Sequence, residues 1–214
     1  MTLSATPGRL IHETPRLRLR ELTGDDAAFI MELVNDPGWL RFIGDRNVHS
    51  LDDARGYIER GPSASYAKNG FGLWAVALRA APAGAPAAAP AAAPAAAPAA
   101  APAGASAAAP AQGPSEPHEL IGMCGLIRRD TLPHPDLGFA FLARHRGHGY
   151  AREAAAAVVA LARDRFRIER LLAITDPDNT ASQAVLEHVG FVFERHFTWS
   201  EIGKEQALYA MDLA

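Results

Sequence analysis

The chain has 214 residues, yet 33 of them, residues 80–112, comprise only 22 Ala, 7 Pro, 2 Gly, one Ser and one Gln. All 45 Lys, Arg, Asp and Glu lie in the other 181 residues, an ordinary globular composition for a single domain over 1–214 interrupted by a low-complexity insert. A formal net charge of -3 speaks against a general nucleic-acid binder, and the single cysteine, Cys124, excludes an internal disulfide or a thiolate zinc cluster, so no metal is expected. No run of about 18 strongly apolar residues suggests a membrane span, and residues 1–20 lack a leader-like apolar run, so a soluble, cytoplasmic protein is expected.

Arg16-Leu17-Arg18-Leu19-Arg20-Glu21-Leu22 alternates as a strand with one wet face. Thr23 or Asp25 can cap a helix to about residue 35, whose apolar stripe is Phe29, Ile30, Leu33 and Val34. Ser50, with Asp53 three residues on, forms a capping-box pattern with Asp in place of Glu and opens a second helix through Tyr57. Strands follow at 71–78 and 120–127, so the Ala/Pro tract falls in what is otherwise a hairpin connection.

Inside that tract, Pro82, Pro86, Pro90, Pro94, Pro98 and Pro102 recur every fourth residue. Each interior proline costs a helix roughly 3 kcal/mol, so a continuous helix is excluded. A disordered, partly polyproline-II insert over about 80–116 is expected. It is either a spacer or docking arm, or a tolerated loop expansion, because loop closure costs grow slowly with length.

A third strand is expected at 137–143, then a glycine turn and a long helix at 150–166. A short buried strand at 171–175 and a helix at 180–189 follow, the latter closed by Gly190 in a left-handed cap. Strands at 191–199 and 206–213 complete the order β-α-α-β-β-β-α-β-α-β-β. Early antiparallel strands around a central strand-helix-strand crossover imply an α/β fold on a mixed sheet.

The stretch Phe141-Leu142-Ala143-Arg144-His145-Arg146-Gly147-His148-Gly149-Tyr150-Ala151 carries the most chemistry. It leads from a strand through two glycines into a helix start, where unpaired N–H groups and the positive end of the helix dipole favour a phosphate. Gly147 and Gly149 let the backbone curl toward an anion, and Arg144 and Arg146 add positive charge. A dinucleotide fingerprint would need glycine where Arg152 stands, and a phosphate-binding Walker loop would need Gly-Lys-Ser/Thr. A bare Gly-x-Gly is weak evidence, and a plain surface turn stays open on the spacing alone.

Arg146-Gly147-His148-Gly149-Tyr150-Ala151 resembles the Arg/Gln-x-x-Gly-x-Gly/Ala signature of the GNAT superfamily of N-acetyltransferases. Asn179-Thr180-Ala181-Ser182, leading on to Gly190-Phe191, resembles that family's second cofactor segment. The opening Glu13-Thr14-Pro15-Arg16-Leu17-Arg18-Leu19-Arg20 is similar to the branch that includes ribosomal-protein N-terminal acetyltransferases. The resemblance covers about residues 10–213 apart from the insert. It implies a mostly antiparallel sheet with a central splay that receives acetyl-CoA as co-substrate.

On that resemblance, the pantetheine chain pairs with backbone near Phe141 and Leu142. The pyrophosphate rests on the amides of Gly147, Gly149 and Ala151 at the Tyr150 helix start, with Arg144 and Arg146 alongside. Asn179 and Ser182 contact the cofactor. Asp136 is the candidate general base, acting through water, with Asp130 as a weaker rival; His145 and His148 read as loop residues. Many members carry a tyrosine four residues before the final Gly-Phe as general acid; Leu186 stands there, leaving Ser182 as the substitute donor to sulfur.

The acceptor pocket is expected from Trp39, Phe42, Arg41 and Arg46 on one side and Trp199 and Glu201 on the other. The expected activity is acetyl transfer from acetyl-CoA directly to a primary amine, either a protein N-terminus or a small molecule, by a monomer or homodimer without nucleic-acid or membrane partners. Leu186 favours an alternative, a non-catalytic acyl-CoA sensor. A third reading is an interaction protein that recruits partners through the Ala/Pro arm.

Overall fold

Leu17 and Leu19 are fully buried while Arg18 and Arg20 keep access to solvent, so the alternation seen in the sequence becomes strand β2 (Leu17–Arg20). The computed structural model describes residues 8–79, 118–199 and 203–213; the Ala/Pro insert expected over about 80–116 and Glu201 lie outside the described residues. Strand β1 (Leu10–Glu13) precedes β2 and pairs antiparallel with it. The sequence reading lacks this strand, because Thr14-Pro15 leaves only four residues on its near side to show a period.

Six further strands complete one sheet: β3 (Leu73–Leu78), β4 (Leu120–Ile127), β5 (Asp136–Phe141), β6 (Arg170–Thr175), β7 (Val192–Trp199) and β8 (Lys204–Asp212). Their spatial order is β1-β2-β3-β4-β5-β6-β8-β7, antiparallel throughout except between β5 and β6. The strands that bracket the insert pair directly: Ala77 faces Leu120, and the Leu78 N–H donates to Glu119 O at 2.9 Å. The insert therefore leaves and re-enters the sheet at adjacent points.

The helices divide between the two faces. Helix α5 (Tyr150–Asp164) lays Ala154, Ala155, Val158 and Ala162 on the sheet, and α6 (Thr180–His188) adds Leu186 to the same core. Small residues let α5 lie close over Cys124, Leu126 and Leu137. Helices α1 (Ala27–Val34), α2 (Pro37–Phe42) and α3 (Leu51–Ile58) cover the opposite face with Ile30, Leu33, Trp39, Ala54 and Ile58 against Ala75, Met123 and Leu142.

Two helical details differ from the sequence reading. Helix α2 lies within the expected connection between the first two helices; Asp36 caps it by accepting the Gly38 N–H at 2.8 Å, and Pro37 opens it. The helix expected to stop at Tyr57 continues through a π-helical turn, Glu59–Ser63, into α4 (Ala64–Asn69), which ends at Gly70 in the left-handed region. Buried Pro62 lacks the N–H for a regular bond, so the helix widens at that point. The Ser50 N-cap is present, with Asp53 N–H donating to Ser50 Oγ at 3.1 Å, and Asp53 Oδ2 reaches back past the cap to accept His49 N–H at 3.1 Å.

Candidate active site

Strands β5 and β6 run parallel and meet at one position, Asp136 opposite Leu172, with the Leu172 N–H donating to Pro135 O at 2.9 Å. Beyond it they diverge, so the edge of β5 from Leu137 to Phe141 has no strand partner on that side. The result is a V-shaped cleft whose vertex carries Asp136. Leu137 and Phe141 point into the core beneath α5. By alternation Asp136, Gly138 and Ala140 face the side of α1–α3, and Ala140 packs there.

The mouth of the V opens onto the glycine turn. Gly147 and Gly149 have φ of 79° and 78°, and a Cβ at Gly147 would meet no neighbour, so it is the left-handed backbone rather than crowding that requires glycine there. Gly149 is the N-cap of α5 and offers no side-chain cap, so N–H groups of the first turn stay available at an exposed turn. Such a cradle suits a phosphate group.

A carboxylate absent from the sequence reading holds that turn. Asp36, 8% exposed, accepts Gly38 N–H at 2.8 Å and Arg146 Nη2 at 2.5 Å on Oδ1, and Ala143 N–H at 3.0 Å on Oδ2. Arg146 Nε also donates to Phe141 O at 2.9 Å. Burial alone would raise the Asp36 pKa, but the Arg146 guanidinium and the two backbone donors outweigh it and bring it below the usual range. Arg146, expected as mobile charge, is thus a brace between α2, the end of β5 and the glycine turn. Arg144 is engaged as well: it pairs with Glu32 and lies 3.8 Å from Glu119.

The opposite flank is clamped by Glu153 in the first turn of α5. It accepts Thr14 Oγ1 at 2.5 Å, Arg16 N–H at 3.0 Å and Arg16 Nε at 2.5 Å. Arg16 also donates to His148 O at 2.9 Å and lies 4.9 Å from the Tyr150 ring centroid. The Glu13-Thr14-Pro15-Arg16 opening therefore acts as a fastener for the helix start. His148 Nδ1–H donates to Arg146 O at 2.9 Å and its ring stacks on Tyr150, and His145 contacts Glu119 beside β4 at 3.0 Å; both rings are committed to local contacts.

At the vertex, Asp136 is 2% exposed and receives Arg129 Nε at 3.0 Å. Burial drives its pKa up to about 6, against the lowering influence of the Arg129 charge and hydrogen bond. The solvated turn residue that its position beside Pro135 allows is thereby excluded. Arg129 lies 4.7 Å from the Trp199 ring, so the final hairpin is joined to the vertex through one guanidinium. The charges of Arg129 and Arg46 both reach the Tyr57 phenol, whose pKa burial raises. Asp130 is exposed in the loop.

Other expected acceptor residues separate. Trp39 is 5% exposed in the core, with Nε1 donating to Gly44 O at 3.1 Å, so its indole is committed to packing. Phe42 is half-buried beneath Arg41 at 4.8 Å. Asn179 caps α6 by accepting the Ser182 N–H at 3.1 Å, and the half-buried Ser182 lies in the first turn.

The family model described as Acetyltransferase (GNAT) domain matches residues 16–192. The chain belongs to the GNAT family of acetyltransferases. It is therefore an acyltransferase, from a family whose co-substrate is acetyl-CoA. A curated relative, the uncharacterized protein YkkB of Bacillus subtilis (strain 168), is 32% identical over 79 residues, 36% of this chain and 46% of that protein. The match thus spans less than half of the relative's length.

Solved structures share the GNAT fold at low identity. An acetyltransferase from Agrobacterium tumefaciens str. C58 is 21% identical with a TM-score of 0.65, covering 99% of this chain and 96% of its own. The ribosomal-protein-S5-alanine acetyltransferase from Vibrio fischeri is 14% identical with a TM-score of 0.65, covering 95% and 96%. The microcin C7 self immunity acetyltransferase MccE, solved with acetyl-CoA and AMP, is 14% identical with a TM-score of 0.66 and covers 93% of each chain.

Leu186, where many GNAT members have tyrosine, is 1% exposed in the core under α6. It has no titratable group, and its neighbours are apolar. Asp36, Arg129 and Glu153 are the site residues that sequence reasoning passed over. Asp36-Pro37 was a readable helix start, but Arg129 lies in a connection whose partners are set by distant strands.

Proposed function

We propose that this protein transfers the acetyl group of acetyl-CoA directly to a primary amine, with Asp136 as the base. The observation that carries the proposal is the position of this buried carboxylate at the vertex of a cleft that leads to an uncapped helix start. Acetyl-CoA supplies an activated thioester. Its diphosphate fits the Gly147–Gly149 turn and the N–H groups of Tyr150 and Ala151, and its amide-rich arm fits the unpaired β5 edge near Phe141 and Leu142.

Asp136 then accepts a proton from the attacking nitrogen, directly or through one water. With a pKa of about 6, the carboxylate is ionised at neutral pH, which a base requires. Proton transfer to it from an α-ammonium of pKa about 8 is uphill by about 3 kcal/mol, whereas from a lysine of about 10.4 it costs about 6 kcal/mol. An α-amine is the better-matched acceptor. Ser182, in the first turn of α6, donates its hydroxyl hydrogen bond to the departing sulfur, and Asn179 steadies the cofactor amide from the helix cap. Trp199, on Arg129, borders the acceptor.

We place the reaction in the cytoplasm. No helix among the described residues is long and apolar enough to cross a membrane. The buried Cys124 thiol, its pKa raised by burial, is kept from reaction. Thiol release from acetyl-CoA, followed over a panel of amines beside a direct acetyl-CoA titration, tests the whole reading. Binding with acceptor-dependent thiol release is the expected result; absent binding would overturn it, and binding without release would favour a sensor.

A further inference from the structure

Arg129 and Asp136 each commit only part of their capacity to the other. Nε of Arg129 donates to Oδ1 of Asp136 at 3.0 Å, while both Nη groups have no hydrogen-bond partner among the described residues. Arg129 is the one side-chain donor to Asp136 among the described residues. Asp136 is nearly sealed, but the Arg129 side chain is 24% exposed, so one side of the fork faces the open end of the pair. Trp199 covers one face of that guanidinium at 4.7 Å and prevents it from swinging away.

A lone acidic base needs no such arginine; in fact the guanidinium weakens it, since a nearby cation favours the ionised form. The arrangement instead makes a positive and a negative charge a hydrogen bond apart, with donors on one and lone pairs on the other that no described residue takes up. A ligand that satisfies both must carry the mirror pattern, a cationic nitrogen and an anionic oxygen group separated by one or two carbons. Bidentate contact with a planar carboxylate is the chemistry an arginine fork favours.

We propose that the acceptor is a free α-amino acid or a close analogue, its amine directed to Asp136 and its carboxylate held by the Nη groups of Arg129. This deepens the acetyltransferase reading and rests on it. Arg129 becomes a specificity-determining residue: it separates amino acids from amines that lack the carboxylate and from internal residues of a peptide chain. The Trp199 ring offers an apolar wall for the acceptor's side chain.

The test uses matched acceptors with the unaltered protein: leucine and phenylalanine, their decarboxylated amines, their amides, and peptides beginning with the same residue. Thiol release should show kcat/KM at least about tenfold higher for the free amino acids, since a charge-assisted fork contributes more than about 1.4 kcal/mol. In Arg129→Gln, kcat/KM should fall for every acceptor as the buried Asp136 loses its partner, and about tenfold or more further for the amino acids than for their decarboxylated amines. Arg129→Lys should recover part of the loss. Equal or better turnover of the amines, amides or peptides, or no turnover across the panel despite acetyl-CoA binding, would overturn the acceptor assignment and leave the cofactor reading standing. Failure to bind acetyl-CoA would overturn both.

Discussion

Asp36 and Asp136 are both buried carboxylates beside an arginine, yet their pKa values move in opposite directions. Asp36, at the glycine-turn end of the cleft, gains Arg146 and two backbone N–H donors, which outweigh its burial and hold it below the ordinary 3.8. Asp136, at the β5–β6 junction, is more deeply buried and has one guanidinium, so desolvation wins and its pKa rises to about 6. Asp36 is a satisfied brace that fixes a backbone shape. Asp136 keeps a raised pKa and hydrogen-bonding capacity in hand, the condition that the proposed proton transfer needs.

The most severe way to break this contrast is Asp136→Asn. Turnover should fall by about 10²–10⁴-fold while acetyl-CoA affinity changes little, as steady-state rates and a binding titration would show. An unaltered rate would remove Asp136 from the mechanism. Arg146→Ala attacks the other end and should do the reverse. With Asp36 left beside two backbone donors alone, the domain should lose about 1–3 kcal/mol in denaturant unfolding, and acetyl-CoA should bind about tenfold or more weakly as the glycine turn loosens. Arg146→Lys should not repair it, because a lysine cannot reach Phe141 O and Asp36 with one planar fork.

A pH series sharpens the comparison at intermediate size. Turnover should decline about tenfold per pH unit below about 6 as Asp136 takes up a proton, and that limb should be missing in Asp136→Asn. Stability should follow the two carboxylates in opposite senses. The raised Asp136 pKa contributes stability fully present below 3.8 and lost as pH rises through about 6. The lowered Asp36 pKa contributes stability present above 3.8 and lost as pH falls through its folded value. Melting temperatures of Asp136→Asn and Asp36→Asn against the natural chain from pH 3 to 8 would read both trends.

Smaller effects are expected elsewhere. Ser182→Ala should lower kcat by about tenfold or less, since a hydrogen bond to the leaving sulfur contributes about 1 kcal/mol. Smallest of all, a chain joining Arg79 to Ser115 by a short turn should keep acetyl-CoA affinity and turnover within about twofold, because β3 and β4 already meet at Leu78 and Glu119. Loss of cofactor binding in that chain would give the Ala/Pro tract a role beyond loop expansion.

The glycine turn, the long α5, the α6 cap at Asn179 and the left-handed Gly190 were legible because each is a local event: an N-cap, a positive φ, an apolar stripe within one turn of its neighbours. The same locality explains the Ser50 N-cap. Reading failed where local cues were short or contradictory. Four residues of β1 show little period, and Pro62 looks like a helix end although the helix absorbs it as a π turn.

By itself, then, the sequence determined the family, the order of most elements and the glycine turn at the start of α5, all of which rest on patterns among residues close along the chain. Only the tertiary structure decided what the polar side chains do. Arg146 turned from free cation to brace because Asp36 is 110 residues away in sequence, and Trp39 went to the core because α2 packs on the sheet. The Asp136–Arg129–Trp199 group arose because a loop after β4, the start of β5 and the end of β7 converge at a single-point junction of two parallel strands. The burial that sets the Asp136 pKa comes from that convergence, and no sequence period encodes it.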